Sequence, residues 1–243
     1  MARVMSIAVL SCSAAALLLR SLRPRKTRIH LIRHGQSTFN KAMDQYFETH
    51  PDELAKQNAA PNDWWNDPTH WDPPGTTDAA LTPLGVEQAA GLPQLVAALP
   101  VELICVSPLT RALHTCALAF GLHDGGFPPA PVMVLPLAAE RVNSSCDIGQ
   151  SSSVLRNSFG NCPAFSFDQK TLTKDWWKQG LQHIDPPRVM EHFENEFIPR
   201  INKLKEWLKA RPESDICLVC HAVVINQFTG TWVENCAVIT VEL

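Results

Sequence analysis

From Thr27 onward the chain alternates compact apolar runs with amphipathic ones. Arg28-Ile-His-Leu-Ile32 predicts a buried strand. Thr82 followed by Pro83 has the form of a capping residue with proline at the first helical position, and predicts a helix to about Leu99, stopped by Pro100. Val101 to Val106 predicts a second strand, and Ser107-Pro108 repeats the cap-then-proline start for a helix through Phe120. Val132 to Leu135 predicts a third strand. Phe193, Phe197, Ile201, Leu204 and Leu208 recur at helical spacing, which predicts a helix from about Arg188 to Ala210 with a kink at Pro199. Asp215 to Cys220 reads as another buried strand, a short helix follows His221, and Cys236 to Val241 reads as the last strand. Strands that alternate with helices, several of them continuously apolar, predict an α/β fold: a mainly parallel sheet covered by helices on both faces.

Two stretches break this alternation. Residues from about Phe39 to Asp78, with Asn62-Asp-Trp-Trp-Asn66 and Asp72-Pro-Pro-Gly75, read as an irregular insertion of the kind that serves as a functional lid. Residues from Asn143 to Pro187 also lack periodicity and read as a second insertion. The Trp64-Trp65 and Trp176-Trp177 pairs fall in these stretches, where they would either wall a pocket or pin loops to the core.

Ahead of Thr27 the pattern changes. Val4 to Leu19 is almost wholly apolar, Arg20, Arg23, Arg25, Lys26 and Arg28 follow, and no acidic residue occurs before Asp44. Residues 1–26 are thus expected to be a leader or anchor with a basic flank, ahead of a catalytic domain over 27–243. A transit peptide fits the acid-free composition, and a signal anchor fits the uninterrupted block. That block would span only about 24 Å against a bilayer core of about 30 Å. As an anchor it would associate the chain with a membrane and leave the domain facing the cytosol; as a transit peptide it would send it to an organelle.

Composition adds exclusions. A length of 243 residues with 45% hydrophobic and 19% charged residues suits one sizeable core. A net charge of -3 offers no general field for nucleic acid, so any phosphate site would be local. The 8 cysteines are too sparse for a disulfide framework, and Cys105, Cys217, Cys220 and Cys236 sit in strand-like runs as expected buried thiols. Cys217-Leu-Val-Cys220 has zinc-like spacing, but residues three apart on a strand face opposite ways and no second ligand pair follows, so no metal is expected. Cys146 and Cys162 would pair only in an oxidising compartment.

In open α/β sheets, ligands bind beyond the carboxyl ends of the strands. Those ends carry Arg33, His34 and Gly35 after the first strand, Arg111 in the helix after the second, Glu140 after the third, and His221 after the strand ending at Cys220. Each has an ordinary alternative: a structural histidine, a solvated arginine, a surface carboxylate. Their coincidence at four strand ends is harder to explain that way. A neutral imidazole is a competent nucleophile, arginine forks bind phosphate oxygens, and a carboxyl of raised pKa can protonate a leaving oxygen and then activate water. The set suits phosphoryl transfer with no cofactor and no metal, and no Walker-type loop occurs.

Leu31-Ile-Arg-His-Gly-Gln-Ser-Thr-Phe-Asn40 closely resembles the signature of the histidine phosphatase (phosphoglycerate-mutase-like) superfamily. Leu81-Thr-Pro-Leu-Gly-Val-Glu-Gln-Ala89, Val106-Ser-Pro-Leu-Thr-Arg-Ala-Leu-His-Thr115 and Leu218-Val-Cys-His221 resemble its further motifs, in family order. The resemblance implies a three-layer α/β/α fold, His34 as phosphoacceptor, and Arg33, Arg111 and His221 as phosphate holders. It also implies Ser37 and Asn40 in the same pocket and Glu140 as proton donor. Ala222 departs from the pattern, standing where glycine usually follows the second histidine. The expected activity is metal-independent phosphomonoester hydrolysis on a small metabolite or phosphoprotein. The alternatives are a phosphoglycerate-mutase-type isomerase, disfavoured by the long Trp-rich stretch after the first motif, and a silent phosphoester-binding protein.

Overall fold

The computed structural model describes residues 26–67, 69–167, 172–173, 175–178 and 190–243. The Val4 to Leu19 block therefore lies outside the described residues, among which no helix is long and apolar enough to cross a membrane.

Five strands form one sheet: β1 (Arg28–Arg33), β2 (Leu103–Val106), β3 (Val132–Val134), β4 (Asp215–Cys220) and β5 (Val238–Glu242), in the order β3-β2-β4-β1-β5. All neighbouring pairs are parallel except β1 with β5. The apolar runs of β2 and β4 are buried on both faces, whereas the outer strands β3 and β5 are partly exposed. Ile32, Ile104, Val106, Cys217 and Val219 join one core, while Ile29, Leu31, Cys105, Leu218 and Cys220 join the other. Cys217 and Cys220 thus point to opposite faces, and the cysteines of the described residues, Cys146 and Cys162 included, are free thiols.

Helices cover both faces, and several boundaries differ from the sequence reading. The first insertion is not irregular. It holds α1 (Thr38–Thr49), α2 (Pro51–Ala59) and α3 (Pro61–Asn66). Ser37 and Asn40 form a reciprocal capping box for α1, and a proline opens each of the next two. Because α2 buries no residue, it has no apolar stripe to betray it. Phe39, Met43, Trp64, Ala79 and Cys146 make a third, smaller core beneath this insertion.

The helix expected over 82–99 is two, α4 (Pro83–Ala90) and α5 (Pro93–Val96), because Gly91-Leu92-Pro93 interrupts the backbone ladder. Helix α6 (Thr110–Ala119) begins three residues after Ser107, which does not cap it. Asp78, 32 residues upstream, does so instead: Thr110 N and Thr110 Oγ1 donate to its two carboxylate oxygens at 2.9 and 2.6 Å. In the second insertion α7 (Ser152–Ser158) is capped by Ser151, and single turns form at Ser145–Asp147 and Trp176–Lys178. Residues 179–187 of that insertion lie outside the description.

The long helix near the C-terminus starts later than predicted. Its first two positions, 188 and 189, are not described, and Met190 to His192 are not helical. A wide turn at Phe193–Phe197 leads into α8 (Ile198–Lys209), so Pro199 lies in a first turn and kinks nothing. Helix α9 (Ala222–Thr229) follows His221 as expected. Cys236 has a φ of 58° and precedes β5 rather than opening it.

Two glycines fix how the loop after β1 meets α4. A Cβ on Gly35 would lie 2.4 Å from the Gly85 carbonyl oxygen, and one on Gly85 would lie 2.0 Å from that of Gln36. Both contacts are backbone on backbone and cannot be relieved by a rotamer change. Gly85→Ala is accordingly expected to cost about 3 kcal/mol or more of stability, above the usual range for overpacking. Denaturant unfolding of the variant against wild type measures it.

Candidate active site

Register alone brings the two histidines together. Arg33 pairs with Cys220 across β1 and β4, so the next residues, His34 and His221, emerge side by side, with ring centroids 5.1 Å apart. Val106 pairs with Val219 across β2 and β4, which sets Ser107 beside His221. Its hydroxyl lies 2.7 Å from His221 Nε2. Ser107, expected to cap a helix, thus engages the second histidine. A single turn after β3, Pro136–Ala138, then delivers Glu140 to the same end of the sheet.

Arg33, His34, Ser37, Asn40, Arg111 and Glu140 all line one cavity of about 490 Å³. His221 does not. It is fully buried beside His34, and its Nδ1 has no hydrogen-bond partner. Ser37 and Asn40 spend much of their polarity on the α1 cap: Ser37 N and Oγ donate to Asn40 Oδ1 at 3.1 and 3.0 Å, and Asn40 N donates to Ser37 Oγ at 3.1 Å. The amide NH₂ is what Asn40 has left to offer an anion.

His34 is held by both ring nitrogens. Nδ1 lies 2.7 Å from the Gly35 carbonyl, which can only accept, so the proton sits on Nδ1. The lone pair on Nε2 then accepts from Arg111 Nε at 3.3 Å. Burial first, then the charges of Arg111 and Arg33, hold the imidazole well below its ordinary pKa, and the ring is neutral. Burial, Arg111 and His34 likewise hold His221 well below its ordinary pKa.

Arg111 is 3% exposed, and its remaining donors are met by protein. Nη1 donates to the Cys146 carbonyl at 2.6 Å and Nη2 to Asp147 Oδ1 at 2.8 Å. The anion facing this helix-start cation is thus a side chain, Asp147, which sequence reasoning missed. It sits in a stretch without periodicity, and no local signal marks it. Arg33 donates through Nη1 to the Val233 carbonyl at 2.5 Å, while its Nε is buried without a partner. Two unpartnered buried nitrogens, on Arg33 and His221, at the end of one sheet are the arrangement expected where an anion completes the network.

Glu140 is held by backbone amides: Arg141 N donates to Oε1 at 2.9 Å and Val223 N to Oε2 at 3.0 Å. Burial and the neighbouring Asp147 outweigh these bonds and push its pKa up to about 7. Among the described residues, no group of three or more His, Cys, Asp or Glu side chains is placed to hold a metal ion. Of the paired tryptophans, only Trp65 reaches this cavity. Trp64 is buried behind it, Trp176 donates through Nε1 to the Gln150 carbonyl at 2.8 Å, and Trp177 lines a separate cavity.

A family model of the histidine phosphatase superfamily (branch 1) matches residues 65–141, a stretch that includes Arg111 and Glu140 and leaves His34 and His221 outside. A "probable phosphatase" of Schizosaccharomyces pombe is 29% identical over 135 residues, which cover 54% of this chain and 55% of that protein. The chain thus spans about half the length of that relative. A "phosphoglycerate mutase-like protein" of Arabidopsis thaliana is 25% identical over 86% of this chain and 75% of its own length. The crystal structure of a phosphoglycerate mutase from Bacillus anthracis shares the fold, with a TM-score of 0.51 and 16% identity over 90% of this chain and 89% of that one. In fold, in the stretch over residues 65–141 and in these relatives, the chain is similar to members of the histidine phosphatase superfamily.

Proposed function

We propose that the chain hydrolyses phosphate monoesters through a phosphohistidine at His34 Nε2, without a metal. The observation that carries this reading is the tautomer of His34: Nδ1–H is tied to the Gly35 carbonyl, and the unprotonated Nε2 meets Arg111 in the lined cavity. In the first step the Nε2 lone pair attacks phosphorus and the ester P–O bond breaks. The Glu140 carboxyl gives its proton to the departing alcohol oxygen. In the second, the Glu140 carboxylate takes a proton from water, whose oxygen attacks phosphorus while the P–N bond breaks and its electrons return to Nε2. Arg33 and Arg111 offset the charge on the phosphoryl oxygens. Uptake of an anion would draw the Arg111 Nε–H off the His34 lone pair and give partners to Arg33 Nε and His221 Nδ1. With the Ser107 hydroxyl donating to His221 Nε2, the His221 ring would carry its proton on Nδ1, ready to donate.

A second reading, isomerisation of phosphoglycerates, is favoured by the name of the Arabidopsis thaliana relative alone. It would retain the same first step and return the phosphoryl group to a second substrate hydroxyl. Conversion between phosphoglycerate isomers with a bisphosphate primer, at a rate above phosphate release, would establish it.

Phosphate release from a panel of monoesters in EDTA is expected for wild type and lost to background in His34→Ala; release undiminished in that variant overturns the mechanism. Glu140→Gln is expected to lower kcat about 10²–10⁴-fold on esters of poor leaving groups and far less on an activated aryl ester, as the loss of a general acid requires. Because Glu140 acts protonated in the first step and its pKa is raised to about 7, kcat/KM should fall as pH rises through about 7. His34 and His221, already neutral, add no opposing limb near pH 6. Asp147→Asn removes the anion that helps keep Glu140 protonated, so that fall is expected at lower pH in the variant. An unmoved pH–rate profile would show that Asp147 does not act on Glu140.

A further inference from the structure

The floor of the cavity accounts for a phosphoryl group; its walls do not. Phe39 of α1, Trp65 of α3, Phe193 of the wide turn before α8 and Trp232 after α9 bring aromatic rings to it from four separate elements. Phe39 and Trp65 are in ring contact, with centroids 6.4 Å apart. Trp65 is braced from behind: the buried Trp64 meets it edge-on at 4.8 Å, His70 packs against it at 5.3 Å, and Trp64 Nε1 is fixed by Glu53 Oε2 at 3.1 Å. Trp65 itself stays half-buried, with a rigid support on one side and the cavity on the other.

The charges of the walls point the same way. Above Arg33 and Arg111, the cation lining the cavity among the described residues is Arg141, and it is already engaged. Its Nε donates to the Glu191 carbonyl at 3.0 Å, its Nη2 donates to Asn66 Oδ1, and its guanidinium lies over the Phe193 ring, 5.3 Å from the centroid. Glu234 also lines the cavity and is an acidic side chain, and Gln57, Asn58 and Asn143 are neutral. A leaving group bearing a carboxylate would give up its hydration for aromatic faces and a like charge. An uncharged flat ring would bury its faces against Trp65 and Phe39. The volume, about 490 Å³, lies within the range of pockets that enclose ligands far larger than a three-carbon acid.

We infer that the walls form a leaving-group subsite for an uncharged aromatic ring, with Trp65 as its stacking surface, so that the favoured ligands are phosphate monoesters of aromatic or arylalkyl alcohols. This rests on the phosphatase reading for turnover, and binding to the subsite is measurable without it. Calorimetry of wild type with 2-naphthylmethylphosphonate, ethylphosphonate and 3-phosphonopropionate reads the subsite directly. The naphthyl ligand is expected to bind about tenfold or more tighter than ethylphosphonate, and the carboxylate ligand no tighter than ethylphosphonate. The naphthyl-to-ethyl ratio should collapse in Trp65→Ala and be largely kept in Trp65→Phe, which also guards against a misfolded alanine variant. Equal binding of the naphthyl and ethyl ligands, tighter binding of the carboxylate ligand, or no binding of any phosphonate overturns the inference. A wild-type chain that shows the expected ratio yet hydrolyses neither 2-naphthylmethyl phosphate nor ethyl phosphate sustains the subsite and overturns the phosphatase reading instead.

Discussion

A guanidinium keeps its charge even in a protein interior, so leaving its donors unmet there is costly, and Arg111 is the group on which this site is organised. It binds the Cys146 carbonyl, the Asp147 carboxylate and the lone pair of His34 at once. Removing one partner of a buried ion pair typically costs about 3–5 kcal/mol because it strands the other charge, so Arg111 and the Asp147 loop depend on each other. That loop in turn anchors the first insertion: Ser145 N donates to Asp72 Oδ2 at 3.0 Å, and the hydroxyls of Thr76 and Ser145 lie 3.1 Å apart. The helix bearing Arg111 starts where it does because Asp78, at the end of the same insertion, caps it. One buried cation therefore ties together α6, the second insertion and the first.

Burial at the carboxyl ends of the parallel strands also sets the protonation of the site. It disfavours whichever form is charged, so it lowers both histidines and raises Glu140. The same exclusion of water therefore yields a neutral imidazole with an unprotonated Nε2 and a carboxyl that retains its proton near neutrality. Neighbouring charges sharpen the split. Arg111 and Arg33 act on His34, and Asp147 acts on Glu140.

The insertion helices supply what the sheet lacks. The sheet ends bring polar groups to the cavity, and α1 and α3 bring the rings of Phe39 and Trp65 that line it. Trp65 is positioned through a chain of contacts, from Glu53 on α2 to Trp64 and then to Trp65 itself. Trp65 is thus fixed by packing remote from Arg33, His34 and Arg111.

The sequence by itself determined the sheet and its reactive ends. The apolar runs of β1, β2 and β4 are long enough and continuous enough to require burial on both faces, and Arg33, His34 and His221 follow those runs directly, though it is the pairing of β1 with β4 that brings them together. The helices that Pro51 and Pro61 open were not read from the sequence: α2 buries nothing, and without an apolar stripe periodicity had no signal to report. The tertiary structure alone decided the partnerships made across the chain. Asp78 caps a helix 32 residues on, Asp147 neutralises Arg111 from 36 residues away, and Ser107 meets His221 across 114. Local pattern records the conformation a segment prefers and the face it must hide. Which polar group meets a buried charge is settled only when separate segments are packed against each other, because the desolvation that makes the partner necessary does not exist until the chain has folded.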